Sequence, residues 1–251
     1  MALEPAAPGA AVRLDGIVAG YGQITILNGL SFTAPAGAIT TLIGANGAGK
    51  STVFKTIFGI VRPRAGSVRV GDAEVTGQPA RELLARGVVY VPQGRNLFPT
   101  LSVRHNLELG GVTLGSRALI HQRMEAVFAR FPRIAERADS QASALSGGEQ
   151  KQLEIGRALL LDPKVILIDE PSIGLAPKVV AEVFALLRAL AASGVTTLMV
   201  EQNVRSALAI SDHAVALEGG RVAIEGPAGE ILANPRIKSL FLGGHMEQAA
   251  G

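Results

Sequence analysis

Apolar and polar positions fall into short β-rich runs interrupted by glycine and separated by helical stretches. Ala38 to Ile43 is an apolar run that ends in glycines, and Ser51 to Ile57 reads as a helix, which predicts strand, glycine loop and helix in succession. Ser67-Val68-Arg69-Val70 alternates polar with apolar residues and closes on the turn signal Gly71-Asp72. With Val12 to Ile17 and Ser31 to Thr33 it predicts an antiparallel sheet near the N-terminus. Val88 to Val91 is a second buried strand, ended by the loop signal Pro92-Gln93-Gly94. The chain then turns helical and more charged, with helices expected over Val103 to Leu109 and Arg117 to Phe131 and a helical insertion over 95–161. Val165 to Ile168, Pro177 to Ala192, Val195 to Val200 and Asn203 to Ile210 resume the strand and helix alternation of a mostly parallel sheet covered by helices.

Composition supports one α/β unit. The 251 residues are 48% hydrophobic and 18% charged, enough for a sizeable core. The expected organisation is a single domain over 11–244, with 11–94 and 162–244 forming the core and 95–161 the helical part. Flexible ends are expected at 1–10 and 245–251. A net charge of +3, with lysine and arginine dispersed, argues against nucleic acid as a partner. Without cysteine there is no disulfide framework, thiolate metal site or cysteine nucleophile. No basic start followed by an apolar stretch is seen, so no secretory signal is expected. The most apolar helical stretch, Val179 to Ala192, is interrupted by Glu182 and Arg188 and falls short of the roughly 20 apolar residues a span needs. The expected location is cytoplasmic, with any membrane reached through a partner.

The chemistry concentrates in three places. Gly44-Ala45-Asn46-Gly47-Ala48-Gly49-Lys50-Ser51 fills every fixed position of a phosphate loop. Its glycines let backbone N–H groups converge on phosphate oxygens, and the helix that follows adds its positive end. Gly44, Asn46, Gly47, Ala48, Gly49, Lys50, Ser51 and Thr52 are thus expected to hold a nucleotide, with Lys50 reaching the β- and γ-phosphates and Ser51 on Mg²⁺. Downstream, four apolar residues lead into Asp169 and Glu170, two carboxylates at the end of a buried strand, where open α/β sheets bind ligands. Asp169 is expected to hold Mg²⁺ through water, and Glu170 to polarise the attacking water.

Between these lies Leu145-Ser146-Gly147-Gly148-Glu149-Gln150, ahead of a helical run over Gln152 to Leu161. Alone, Ser-Gly-Gly is a flexible turn. Placed about 20 residues before the acidic strand end, and after a phosphate loop, it completes an ordered trio. That trio resembles the nucleotide-binding subunit of ATP-binding-cassette (ABC) transporters. The resemblance implies a P-loop, RecA-like parallel core with an antiparallel β subdomain and an inserted α-helical subdomain. It also implies two subunits closing head to tail around two ATP-Mg²⁺, with Ser146, Gly147 and Gly148 covering the γ-phosphate held by the opposite subunit. Tyr21 matches the family's adenine-stacking aromatic. Gln93 matches its Q-loop glutamine, which contacts Mg²⁺ or water; by itself Pro-Gln-Gly means only a turn.

Two positions depart from the general family pattern. Where many members carry a switch histidine, this chain has Gln202, which can hydrogen-bond a γ-phosphate but cannot become cationic near neutral pH. Where most end the loop after Glu170 in aspartate, Pro171-Ser172-Ile173-Gly174-Leu175-Ala176-Pro177 has Ala176. Together with Val200-Glu201-Gln202-Asn203, Gly94-Arg95, Phe131-Pro132 and Phe241-Leu242-Gly243-Gly244, these residues look like the LivF-type ATPase of branched-chain amino acid importers, over about Val12 to Gly244. Related subunits serve urea or other amides. The resemblance implies catalysis by Glu170, Lys50 and Gln202, with Ser51, Gln93 and Asp169 at the metal. The partners it implies are integral membrane permease subunits, a second ATPase subunit (a LivG-like paralogue or the chain itself) and, indirectly, a periplasmic binding protein. A translation-type ABC protein carries two cassettes, whereas one phosphate loop is present. A chromosome-maintenance ATPase needs a long coiled coil, whereas roughly 95 residues separate Lys50 from Ser146 without sustained heptads. A small-molecule kinase has no use for the Ser-Gly-Gly signature.

Overall fold

The computed structural model describes residues 9–94 and 96–237 of the chain. Arg95, the run 241–244 and the terminal stretches 1–8 and 245–251, on which several expectations bear, lie outside the described residues.

β1 (Val12–Tyr21) and β2 (Ile24–Ala34) alternate buried with exposed residues, as strands with one covered face do. They pair antiparallel, and β2 begins well before the expected Ser31 because its first half is specified by cross-strand pairing with β1, from Tyr21 opposite Ile24 onwards. β3 (Ile39–Gly44) is buried almost throughout and runs through residues 45–49 into α1 (Lys50–Ile57). β4 (Ala65–Val70) and β5 (Ala73–Glu74) complete a 4-stranded sheet of order β2-β1-β4-β5. The short α2 (Ala80–Ala85) is not signalled by periodicity because it buries only Leu83. It leads into β6 (Val88–Val91), found where the pattern places it.

From β6 to the next strand the named elements are helical: α3 (Val103–Gly110), α4 (Arg117–Arg130), α5 (Pro132–Ala135) and α6 (Gly147–Leu159), with two short 3₁₀ turns among them. Ser102 and Ser116 cap α3 and α4 by accepting from the backbone N–H groups of His105 and Leu119. α6 starts at Gly147 rather than near Gln152. Adjacent glycines disfavour helix, but Ser146 and Glu149 form a reciprocal capping box that starts the helix over them.

β7 (Val165–Asp169), α7 (Pro177–Ala192), β8 (Thr196–Val200) and α8 (Val204–Ala209) follow close to expectation. β9 (His213–Glu218), β10 (Arg221–Pro227) and α9 (Ala228–Ala233) carry the chain on. The 6-stranded sheet has the order β10-β9-β3-β8-β7-β6 and is parallel except for β10. Alternation along β7 sends Val165 and Leu167 into a core shared with Phe54 of α1 and Leu30 of β2. Ile166 and Ile168 face the other way, packing with Leu187 of α7 and Leu153 of α6. Among the described residues no helix is long and apolar enough to cross a membrane.

Candidate active site

The parallel register brings the strand ends level. Leu42 and Asp169 both lie opposite Val200, and Val91 lies opposite Ile168. The residues that leave these strands, Gly44, Glu170, Glu201, Gln202 and Gln93, therefore gather at the carboxyl edge of one sheet, the usual ligand position in such folds.

At the end of β3 the loop is shaped by its glycines. Gly49, the residue before α1, adopts φ 102°, and a Cβ there would stand 2.8 Å from Leu27 Cδ2, so a side chain is excluded by both conformation and contact. Asn46 and Gly47 are exposed, while Ala48 is buried and its N–H donates to the Ala45 carbonyl at 3.1 Å. Lys50 is buried, and its ammonium donates to the carbonyls of Gly44 at 2.7 Å and Ala45 at 3.0 Å. Burial lowers its pKa below the usual lysine value, opposed by the charges of Glu170 and Asp169. Thr52 is buried in α1, and its carbonyl accepts the Thr56 hydroxyl at 2.8 Å. On the β9 side of the loop, Asn46 and Gly47 line a half-open apolar cavity of about 260 Å³ with Leu217, Gly219 and Ile224.

Asp169 has the parity of Val165 and Leu167, so it faces α1. The Tyr90 hydroxyl donates to its Oδ2 at 3.3 Å, and the ring of Tyr90 packs edge-on against Phe54. Oδ1 is buried and has no hydrogen-bond partner among the described residues. Burial pushes the Asp169 carboxyl above its ordinary range; the Ser51 hydroxyl opposes this, the Glu170 charge adds to it, and Tyr90 opposes it. The same burial and the Asp169 charge push the Tyr90 phenol upwards.

Glu170 departs from the strand. Its φ of 49° lies in the left-handed region, uncommon for a residue with a side chain, and its N–H donates to the Val200 carbonyl at 2.9 Å. The buried carboxylate is bracketed: Gln93 Nε2 donates to Oε2 at 2.7 Å and Gln202 Nε2 donates to Oε1 at 2.9 Å. Two segments far apart in sequence thus converge on one side chain.

Glu201 was not singled out from the sequence as a site residue. It is buried and accepts from the Ser172 N–H at 2.8 Å, the Ser172 hydroxyl at 2.8 Å and the Gln202 N–H at 3.2 Å. It ties the loop after Glu170 to the residue that contacts Glu170. Burial raises its pKa, the Ser172 and Gln202 bonds oppose this, and the Glu170 charge adds to it. The available signal was a carboxylate set directly after a strand with no exposed position. Tyr90 was also missed; its signal was the one hydroxyl in an otherwise all-valine strand.

Tyr21, at the end of β1, is 45% exposed, with the Lys55 ammonium 5.9 Å from its ring centroid. Ser146 and Gly147 are exposed at the start of α6, and Ser146 bonds within its own turn. Burial would raise the Glu149 pKa, but the N–H and hydroxyl of Ser146, with the charges of Arg137 and Arg133, leave it lowered. Gly148 marks a close helix contact, since a Cβ there would lie 2.7 Å from Val179 Cγ1 of α7. Hydrogen bonds join Gln93, Glu170 and Gln202 into one cluster, and among the described residues the Ser146 turn bonds within itself, apart from that cluster.

A phosphate loop and an acidic pair at neighbouring ends of a parallel sheet, with a Ser-Gly-Gly helix start on a helical insertion, define a cassette-type ATPase. Residues 27–173 match the family model described as ABC transporter, and the chain belongs to that family. It is 40% identical to the high-affinity branched-chain amino acid transport ATP-binding protein BraG of Pseudomonas aeruginosa, over 93% of this chain and 100% of that protein. It is 35% identical to a probable branched-chain amino acid transport ATP-binding protein, LivF, of Archaeoglobus fulgidus, over 90% of this chain and 95% of the other. A solved ATP-binding cassette of an ABC transporter in its ADP conformation superposes with a TM-score of 0.84 at 28% identity, covering 93% of this chain and 99% of that one.

Proposed function

We propose that the chain hydrolyses ATP within a pair of ATPase subunits on the cytoplasmic face of a membrane, and so drives uptake of branched-chain amino acids through integral membrane permeases. The observation that carries the hydrolytic reading is Glu170, held by one amide on each carboxylate oxygen beside the phosphate loop. Lys50, now donating to loop carbonyls, lies at the N-terminus of α1 where it can turn to β- and γ-phosphate oxygens. Glu170 accepts a proton from the attacking water, and Gln93 and Gln202 fix the carboxylate's orientation as they do so. Gln202 donates as a neutral amide from the position where many members of the family carry a switch histidine.

The residues present fit Mg²⁺. Asp169 Oδ1 is a buried oxygen without a partner among the described residues, and the Ser51 hydroxyl acts on the same carboxyl, a hard-oxygen pair that leaves other coordination positions to water and phosphate. Asp169, Ser51 and Gln93 would hold the ion, which would supply charge neutralisation at the phosphate oxygens. Ser146 and Gly147, exposed at the start of α6, and the half-buried Gly148 beside them are read as closing over the nucleotide of the opposing subunit, and Tyr21 as stacking on the adenine. The division into a core (11–94 and 162–244) and a helical subdomain (95–161) is supported by the wholly helical character of the named elements between β6 and β7.

The substrate reading rests on what the BraG and LivF relatives are named for, over nearly the whole chain. It brings with it a second ATPase subunit, LivG-like or identical, and a periplasmic binding protein that delivers the solute. The test is ATP hydrolysis by the reconstituted transporter with its binding protein. Stimulation by leucine, isoleucine or valine is expected, whereas stimulation by urea or a simple amide in their place would overturn the substrate.

A further inference from the structure

The signature helix carries two charged side chains that hold both backbone polar groups of one residue, Asn96, in the loop behind Gln93. Glu154 Oε1 accepts from the Asn96 N–H at 2.9 Å, and Arg157 Nη1 donates to the Asn96 carbonyl. Both come from α6, one turn apart on the same face. Glu154 and Lys151 are each buried and pair with one another, so the carboxylate that grips the loop has its charge matched from its own helix. Arg157 also lies over the Phe98 ring at 5.5 Å. The Asn96 side chain in turn donates to the Pro92 carbonyl at 2.9 Å and the Gly94 carbonyl at 3.3 Å, the residues on either side of Gln93. An unbroken path of hydrogen bonds and short backbone steps therefore runs from α6 through Asn96 to the amide that donates to Glu170.

From this we propose that Glu154 and Arg157 are positioning residues: they clamp the backbone on both sides of the Asn96 Cα to α6 and thereby set the reach of Gln93 to Glu170, so that displacement of the Ser146 end of the helix is felt at the hydrolytic carboxylate. The consequence for turnover rests on the hydrolytic role of Glu170 proposed above. A buried ion pair on one helix would be a poor choice for stability alone, because replacing such a pair by apolar groups is often neutral or favourable. A carboxylate that must accept a specific backbone N–H accounts for its presence better.

The test compares two double variants of the full chain that both remove the ion pair and differ only in the acceptor offered to Asn96. Lys151→Met/Glu154→Gln keeps that acceptor; Lys151→Met/Glu154→Ala does not. Neither leaves Lys151 or Glu154 as a buried unpaired charge, and the half-buried Arg157 keeps the Asn96 carbonyl and the Phe98 ring, so both are expected to fold. Amide hydrogen exchange at Asn96 should stay near wild type in the first and quicken about 10-fold or more in the second, the loss of one hydrogen bond. In the assembled transporter, kcat should fall by about 10- to 100-fold in the second alone, with KM for ATP little changed, the signature of misplacement at the reacting centre. Equal exchange in the two variants would overturn the clamp. Faster exchange in the second with unaltered kcat would overturn its positioning role. An assembled wild-type transporter that fails to hydrolyse ATP would instead refute the proposed function, while the exchange comparison would still decide the clamp.

Discussion

The side-chain amide of Gln202 donates to Glu170 Oε1 at 2.9 Å, across from Gln93 on Oε2. A glutamine here makes this contact without carrying a proton that titrates near neutrality. Gln202→Ala should lower kcat about 10-fold while leaving KM for ATP nearly unchanged, because the donor orients a catalytic carboxylate rather than binding the substrate. Gln202→His should add a pH-dependent limb around the ordinary histidine pKa of about 6.5 that the wild type lacks. Steady-state ATPase profiles of the two variants check both statements; a wild-type rate in the alanine variant contradicts the assigned contact.

Glu201 supplies a prediction about stability. Its folded-state pKa lies above its unfolded value of 4.5, chiefly through burial. The folded chain therefore binds the proton more tightly, and the associated stabilisation is complete below the unfolded pKa and is lost as pH rises through the folded one. Glu201→Gln should accordingly raise the melting temperature relative to wild type at pH 8, with the advantage shrinking towards pH 4. Thermal unfolding of both proteins across that range reads it, and an advantage that grows on acidification contradicts the burial account.

Gly148 is a packing glycine as well as a signature residue. A methyl group 2.7 Å from Val179 Cγ1 must part α6 from α7 or shift the valine. Gly148→Ala should cost about 1–3 kcal/mol by urea unfolding, the range of overpacked sites. Val179→Ala in the same chain should recover most of it. Absence of recovery would place the cost elsewhere than in the α6–α7 contact.

Ser146 caps α6 and bonds within its own turn. If its exposed face completes the opposing subunit's site, Ser146→Arg should leave ATP binding to the free chain within about 2-fold while lowering turnover in the assembled transporter at least about 100-fold, as loss of an electrostatic contact to the transferred group does. Equilibrium nucleotide binding and ATPase assays on the same preparation separate these effects. Equal losses in both would show that Ser146 serves its own chain's site.

Much of this architecture was legible in the sequence because local pattern and tertiary role agree. β6 and α7 fall where periodicity sets them, since the first is a short all-apolar run after a glycine and the second opens on proline with an apolar face. Strands such as β2 and β10 were hidden in whole or part because their exposed and partly buried residues draw their conformation from a neighbouring strand. α6 was legible in place but not in length, because paired glycines mask a helix start that a capping box enforces. In the site, the phosphate loop and acidic pair could be read from spacing, as each is contiguous in the chain. The bracketing of Glu170 could not, since Gln93 and Gln202 meet it only through the β6-β7-β8 order of the sheet. Glu201 and Tyr90 act through other side chains, so their roles become visible only as distances.

The central claim is that the carboxylate of Glu170 activates water at a nucleotide held by the phosphate loop. Glu170→Gln keeps the shape while removing the base, and a flanking glutamine amide can turn its oxygen to the new NH₂ group, so the decisive measurement is ATP turnover and ATP affinity for this variant beside wild type in the assembled transporter with Mg²⁺. Turnover reduced at least about 100-fold with affinity retained is the predicted result. A variant that hydrolyses ATP at the wild-type rate, or one that loses turnover only because it no longer binds ATP, would contradict it.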